Sequence, residues 1–189
     1  MIENNEYNAW FDGACGPVNP GGTATYGVMI KDQDGTIVVW EHGLVGKGSA
    51  ISNNVAEYAG VLCVLKYLRS LPPARATIRG DSNLVINQLN GRWRIRKGLY
   101  RSIAVEAKEL LARLKGLGWQ IACCWIPRAQ NEECDALSKR PVDRNASNPG
   151  RTIQQCSLAD VESSQSTNPP CGLISGHSLS EQAPLACQY

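Results

Sequence analysis

The sequence predicts an α/β fold in which an antiparallel meander of strands is followed by alternating helices and strands, giving one mixed sheet with helices packed on it. Three observations carry this reading. Three strand-like runs come first, separated by turn residues. Two long stretches then place apolar residues at helical spacing. Each of those helices leads into a further short strand-like run, the β-α-β order that sets a new strand parallel to an earlier one.

The first strand is Tyr7-Asn-Ala-Trp-Phe-Asp12, where Trp10 and Phe11 have strong β propensity. Gly13, Gly16, Pro17, Pro20, Gly21 and Gly22 follow, so the strand is expected to stop at Asp12. An isolated Asp-Gly is ordinarily turn chemistry, and Asp12 alone carries no function. Thr23 to Lys31 reads as a second strand, Asp32-Gln-Asp-Gly35 as a turn, and Thr36 to Val45 as the returning strand of a hairpin. Asp32, Asp34 and His42 are given structural or solvent roles.

A helix is predicted from Ser52 to about Ser70, with Tyr58, Val61, Leu62, Leu65 and Leu68 on one face and Pro72-Pro73 beyond its end. Asn54 and Glu57 have the spacing of a capping pair, so a cap and a functional carboxylate compete as readings of Glu57. Ala74 to Gly80 is a short strand, and the following helix, to Asn90, starts at Asp81, which an N-cap would also explain. The segment from Gly91 to Arg101 carries Arg92, Arg94, Arg96, Lys97 and Arg101 with Trp93 and Tyr100 among them. Cations interleaved with aromatic rings suit a phosphate backbone, against the alternative of a solvated loop. Tyr100 to about Gly116 is a second long amphipathic helix, Trp119 to Ile126 the last strand, and the last helix contains Glu132, Glu133, Asp135 and Lys139. Asp135 and Lys139 stand four apart, as a surface ion pair would.

Composition limits the rest. The 189 residues are 43% hydrophobic, enough for an ordinary globular core. There is no apolar run of about 18 residues, and Met1-Ile-Glu-Asn-Asn-Glu lacks the pattern of a signal peptide, so a soluble, cytoplasmic protein is expected. The eight cysteines form no Cys-x-x-Cys pair and no metal-ligand spacing with His42 or His177, which favours reduced thiols, with Cys63, Cys123 and Cys134 as small core residues. Cys123 and Cys124, adjacent on one strand, point to opposite faces and are not expected to bridge. One folded domain is expected to span residues 1–142. Residues 143–189, rich in Ser, Asn, Gln and Pro and mildly acidic, are expected to be a disordered tail.

Four acids remain ambiguous singly: Asp12 at the end of strand one, Glu57 in the first turn of a helix, Asp81 at the end of strand four and Asp135 at the start of the last helix. If strands one and four are parallel neighbours, their carboxyl ends lie together and the helix starts join them at one rim. Four carboxylates so placed would raise one another's pKa values unless cations lay between them. Hard oxygen ligands suit Mg²⁺ or Mn²⁺, and two such ions about 4 Å apart are a known device for in-line displacement at a phosphodiester.

The contexts Phe11-Asp-Gly-Ala14, Asn53-Asn-Val-Ala-Glu-Tyr58, Gly80-Asp-Ser82 and Asn131-Glu-Glu-Cys-Asp-Ala-Leu137 resemble the type 1 ribonuclease H family over roughly residues 7–140. The resemblance implies a five-stranded mixed sheet in the order 3-2-1-4-5 flanked by helices. It further implies endonucleolytic hydrolysis of the RNA strand of RNA/DNA hybrids by a monomer, with two Mg²⁺ ions or Mn²⁺ in their place, leaving 5′-phosphate and 3′-hydroxyl ends. Asp12 would bridge both ions, Glu57 and Asp81 would complete the ion at the leaving 3′ oxygen, and Asp135 would help hold the ion that activates water. Gly13 and Ala14 would face the 2′-hydroxyls that distinguish RNA from DNA. Asn53, Asn54 and Asn83 match positions that touch the hybrid, and Trp93, Arg94 and Asn131 are further expected contacts.

Two departures from the family pattern stand out. The histidine many members carry before the last helix is missing from Ile126-Pro-Arg-Ala-Gln-Asn131, which leaves Arg128 as the candidate there. The long basic handle helix is also missing, and the Arg92 to Arg101 segment is its expected partial substitute. The competing readings are a catalytically weak hybrid-binding module of the same fold and a related nuclease of different action. Exonucleases of this fold carry a second acid two residues after the first, where this chain has Ala14.

Overall fold

The computed structural model describes residues 5–140. β1 (Glu6–Gly16), β2 (Thr23–Lys31) and β3 (Ile37–Lys47) form the predicted antiparallel meander. The turn between β2 and β3 is built by Asp32, whose Oδ1 accepts hydrogen bonds from the amides of Asp34 and Thr36 at 3.0 and 2.9 Å. Gly35, at φ +78°, supplies the left-handed residue this turn requires. α1 (Asn53–Arg69) then crosses back, and β4 (Arg75–Gly80) pairs parallel with β1 from Glu6↔Arg75 to Trp10↔Arg79. α2 (Asn83–Leu89) and α3 (Arg101–Gly116) lead to β5 (Gln120–Trp125), parallel to β4. A single 3-10 turn, Arg128–Gln130, precedes α4 (Glu132–Ser138). The strand order is β3-β2-β1-β4-β5, as expected for the fold class.

The first strand does not stop at Asp12. β2 continues to supply antiparallel partners as far as Gly16↔Thr23, while the parallel pairing with β4 ends at Trp10. Asp12 therefore sits where one neighbour has left β1 and the other remains, so the sheet opens on one side of it.

The core lies between the sheet and the helices. Phe11, Tyr58, Leu65, Leu68, Ile78 and Leu114 are fully buried, each contributing about 1.5 to 3 kcal/mol by leaving water. The predicted stripe of α1 is buried throughout, and so are Ala56, Gly60, Cys63 and Val64. The burial extends around the helix because α3 packs on it from a second side. Cys15, Cys123 and Cys134 are free thiols.

Among the described residues, no helix lies between α2 and α3, and none is long and apolar enough to cross a membrane. The expected domain boundary at residue 142 and the expected disordered tail lie outside the described residues.

Candidate active site

β1 brings Asp12 to the opening in the sheet, and Gly13 lets α1 come down beside it. A Cβ on Gly13 would stand 2.2 Å from the Glu57 nitrogen and 2.6 Å from the Ala56 carbonyl carbon. Only glycine permits that approach, which sets Glu57, one turn into α1 rather than in its first turn as expected, against Asp12. Asp81 follows the end of β4. One carboxylate oxygen from each of Asp12, Glu57 and Asp81 lies within 4.8 Å of the others.

The fourth acid is held differently. Both Asp135 oxygens are paired, one with Arg128 Nη2 and the other with Lys139 Nζ at 2.6 Å. Asp135 is thus outside the close trio, and the ion pair with Lys139 foreseen from the spacing is present. The capping alternatives for Glu57 and Asp81 are not realised. α1 has no side-chain cap, and Asp81 precedes Ser82, the N-cap residue of α2.

The trio is braced from α4. Asn131, 2% exposed, donates through Nδ2 to the Phe11 carbonyl at 2.9 Å and to Asp81 Oδ1 at 3.2 Å. Ser138, fully buried, donates from Oγ to Asp12 Oδ2 at 2.5 Å. Its carbonyl accepts a hydrogen bond from Thr25 Oγ1 on β2. Asn53 Nδ2 reaches Glu57 Oε1 at 3.4 Å, while Glu57 Oε2 is buried with no hydrogen-bond partner.

Burial raises the Asp12 carboxyl to about 6; the Ser138 hydrogen bond works against it, and the charges of Asp81 and Asp135 push it further up. Burial, then the charges of Asp12 and Asp81, pushes Glu57 well above the usual carboxylate range. Ser138→Ala removes the main opposing influence on Asp12. Its carboxyl titration, followed by NMR, is expected to move above about 6, with a loss of roughly 1 to 2 kcal/mol of stability from the unpaired buried oxygen. An unchanged titration would show that the hydroxyl does not govern Asp12.

A divalent cation fits this donor set. Three hard oxygen donors converge, one buried oxygen of Glu57 lacks a partner, and two carboxyls resist ionisation for want of a counter-charge.

The other predicted residues fall in two groups. Gly13 is buried against α1, Ala14, Asn53 and Asn54 are half-buried, and Asn53 reaches Glu57 of the trio. Asn83 is exposed at the start of α2, with its Oδ1 accepting from Asn87. Trp93 and Arg94 are exposed on the loop of residues 91–100, and Arg128 is exposed on the turn before α4. Sequence reasoning missed Ser138, Thr25 and Gln88. Only Ser138 carried a signal, since it stands three residues after Asp135 and so shares its side of α4.

The reverse transcriptase-like family model matches residues 10–141, more than half of the chain. Ribonuclease HI of Halobacterium salinarum is 35% identical over 136 residues, 72% of this chain and 64% of that protein. The crystal structure of RNase H1 from the same archaeon superposes with a TM-score of 0.60 at 34% identity, covering 70% of this chain and 94% of that one. The chain belongs to the type 1 ribonuclease H family. A third relative, the bifunctional protein Rv2228c of Mycobacterium tuberculosis, is 28% identical over 146 residues, 77% of this chain. The chain spans only 38% of the length of that mycobacterial protein. Membership of the type 1 ribonuclease H family accounts for the sheet order. Chemistry has to be argued from the side chains.

Proposed function

We propose that the chain is an endoribonuclease that hydrolyses the RNA strand of RNA/DNA hybrids, acting as a cytoplasmic monomer with Mg²⁺ as its ion and Mn²⁺ as a substitute. The observation that carries this reading is the trio of buried Asp12 and Glu57 with half-buried Asp81, with its unpartnered Glu57 oxygen, on the fold of the type 1 ribonucleases H. When bound, divalent cations supply Lewis-acid activation of water and charge stabilisation at the leaving 3′ oxygen. Asp12, Glu57 and Asp81 would hold one ion, and Asp12 with Asp135 a second.

The chain's own groups orient this set. Asn131 and Ser138 fix Asp81 and Asp12 in direction, and Asn53 fixes one oxygen of Glu57. Arg128 and Lys139 hold Asp135 beside the trio, so an ion that recruits Asp135 competes with both. Gly13, Ala14, Asn53, Asn54, Asn83, Trp93, Arg94 and Asn131 remain the proposed substrate contacts. Asn131 would act mainly through Asp81, since its Nδ2 is committed to Phe11 and Asp81 and its buried Oδ1 has no partner.

Arg128→Ala tests the place of the missing loop histidine. The turnover number is expected to fall roughly tenfold, as for loss of a partner that orients a ligand, while stability changes by less than about 1 kcal/mol because Arg128 is exposed. An unchanged turnover number would remove Arg128 from the machinery.

The function is tested with duplex DNA carrying an internal stretch of RNA and Mg²⁺. Cuts within the RNA support the proposal. Binding without cutting would favour the weak hybrid-binding module, and stepwise loss from a 3′ end would favour an exonuclease.

A further inference from the structure

Gln88, in the last turn of α2, is 2% exposed, and its amide is fully engaged. Oε1 accepts from the Tyr58 hydroxyl at 2.7 Å. Nε2 donates to the Arg94 carbonyl at 3.1 Å and to the Tyr100 hydroxyl at 3.3 Å. A primary amide offers one acceptor and two donor hydrogens, and a carbonyl can only accept, so the Arg94 contact fixes which way the amide points. The Tyr58 and Tyr100 rings stack over the junction, with centroids 5.9 Å apart and planes 5° from parallel. Burial, then Tyr100, raises the Tyr58 phenol, which keeps its proton and remains a donor.

This junction stands behind the loop of residues 91–100. Arg92, Trp93, Arg94, Arg96 and Lys97 are exposed on that loop, while Ile95 packs against the core. The amides of Arg92 and Trp93 both donate to the Asn87 carbonyl, at 2.9 and 3.1 Å. The loop has no helix or strand of its own, and its four like charges repel one another, so local structure gives it little reason to hold one shape. Its backbone is tied at the Asn87 end and, through Gln88, at Arg94 in the middle.

We infer that Tyr58, Gln88 and Tyr100 are positioning residues that hold the basic loop in the shape that engages the phosphate backbone of the hybrid, and so set substrate affinity rather than the chemical step. The inference rests on the hybrid-cleaving function proposed above. Tyr58 directly follows Glu57 in α1, so a single helical turn carries a carboxylate of the trio and the anchor of the loop. The spacing between cleavage site and phosphate contact is thereby built into one rigid element.

The test uses the full chain, a labelled RNA/DNA hybrid, a salt series and urea denaturation, with Gln88→Leu, Gln88→Glu and Tyr58→Phe. If the loop occupies its binding shape only about a tenth of the time once released, KM rises roughly tenfold. Gln88→Leu is expected to show that rise with kcat within about twofold of wild type, and a shallower dependence of KM on salt. Gln88→Glu loses both Nε2 hydrogens, but burial keeps the new carboxyl protonated and its single O–H can donate to the Arg94 carbonyl, so a smaller rise than for Gln88→Leu is expected. Tyr58→Phe keeps the ring stacking and is expected to give a smaller rise. A purely structural role would lower the urea midpoint and leave KM and its salt dependence as in wild type, and that result overturns the inference. So does a fall in kcat at saturating hybrid with KM unchanged. If Gln88→Leu does not fold, Tyr58→Phe carries the same test. A wild-type protein that neither binds nor cuts hybrid overturns the functional proposal itself, which separates the two failures.

Discussion

Asp12→Asn makes the metal-free protein more stable at neutral pH and removes its response to Mg²⁺. The Asp12 carboxyl is held at about 6 in the folded protein against 3.8 for an unperturbed aspartate, chiefly by burial. A group whose folded value is raised contributes stability that is fully present below the unfolded value and lost as pH rises through the folded one. For Asp12 the loss falls between roughly pH 4 and pH 6, so at neutral pH wild type carries a buried charge that folding resists. Asparagine keeps the shape, can still accept from Ser138, and carries no charge. The expected gain in EDTA at pH 7.5 is about 1 to 3 kcal/mol, because each tenfold weakening of proton release corresponds to about 1.4 kcal/mol. It should vanish near pH 4, where wild type is protonated. Mg²⁺ is expected to raise the wild-type Tm at pH 7.5 and to leave the variant unmoved. Chemical denaturation in EDTA at the two pH values decides it. A variant less stable than wild type at pH 7.5 would mean that Asp12 does not resist ionisation.

Gly13→Ala produces the largest loss of stability. The added methyl carbon would stand 2.2 Å from the Glu57 nitrogen and 2.8 Å from its α-carbon, and backbone atoms of a packed helix cannot swing aside. α1 must retreat from the sheet along a face lined by Tyr58, Val61, Leu65 and Leu68. The expected cost is about 3 kcal/mol or more, at the upper end for overpacking. Retreat also carries Glu57 away from Asp12, so cleavage should fall even under conditions where the variant is folded. Gly116→Ala at the end of α3 is the control, because its methyl would meet no atom within 4 Å. It should be neutral or slightly stabilising, since alanine favours the helix. Equal urea midpoints for Gly13→Ala and wild type would show that α1 does not depend on this contact.

The sheet and the long helices were legible because they are written locally. Alternation marks the strands, helical spacing marks α1 and α3, and the β-α-β order sets the direction of β4. The four acids became legible only jointly, from the rim that this topology creates. What was not legible depends on partners remote in sequence. Ser138 meets Asp12 across 126 positions, and Gln88 meets Tyr58 across 30. Gly13 read as a strand stop because glycine's two effects, a break and a close approach, look alike in sequence, and β2 pairs through the position regardless. The separation of Asp135 from the trio was hidden for a related reason. Lys139 was visible at its helical spacing, but Arg128 joins from the preceding turn and takes the other oxygen.

The most direct test of the central claim is Mg²⁺-dependent cleavage of an RNA/DNA hybrid labelled in the RNA strand, with wild type and Asp12→Asn side by side and hybrid binding measured on both. Wild type is expected to release internal RNA fragments with 5′-phosphate and 3′-hydroxyl ends. The variant is expected to bind hybrid but to cut at least about 10² to 10³-fold more slowly, the scale for removing one preorganised electrostatic group. Equal cleavage by the two proteins would contradict the assignment of the buried carboxylates as the catalytic centre.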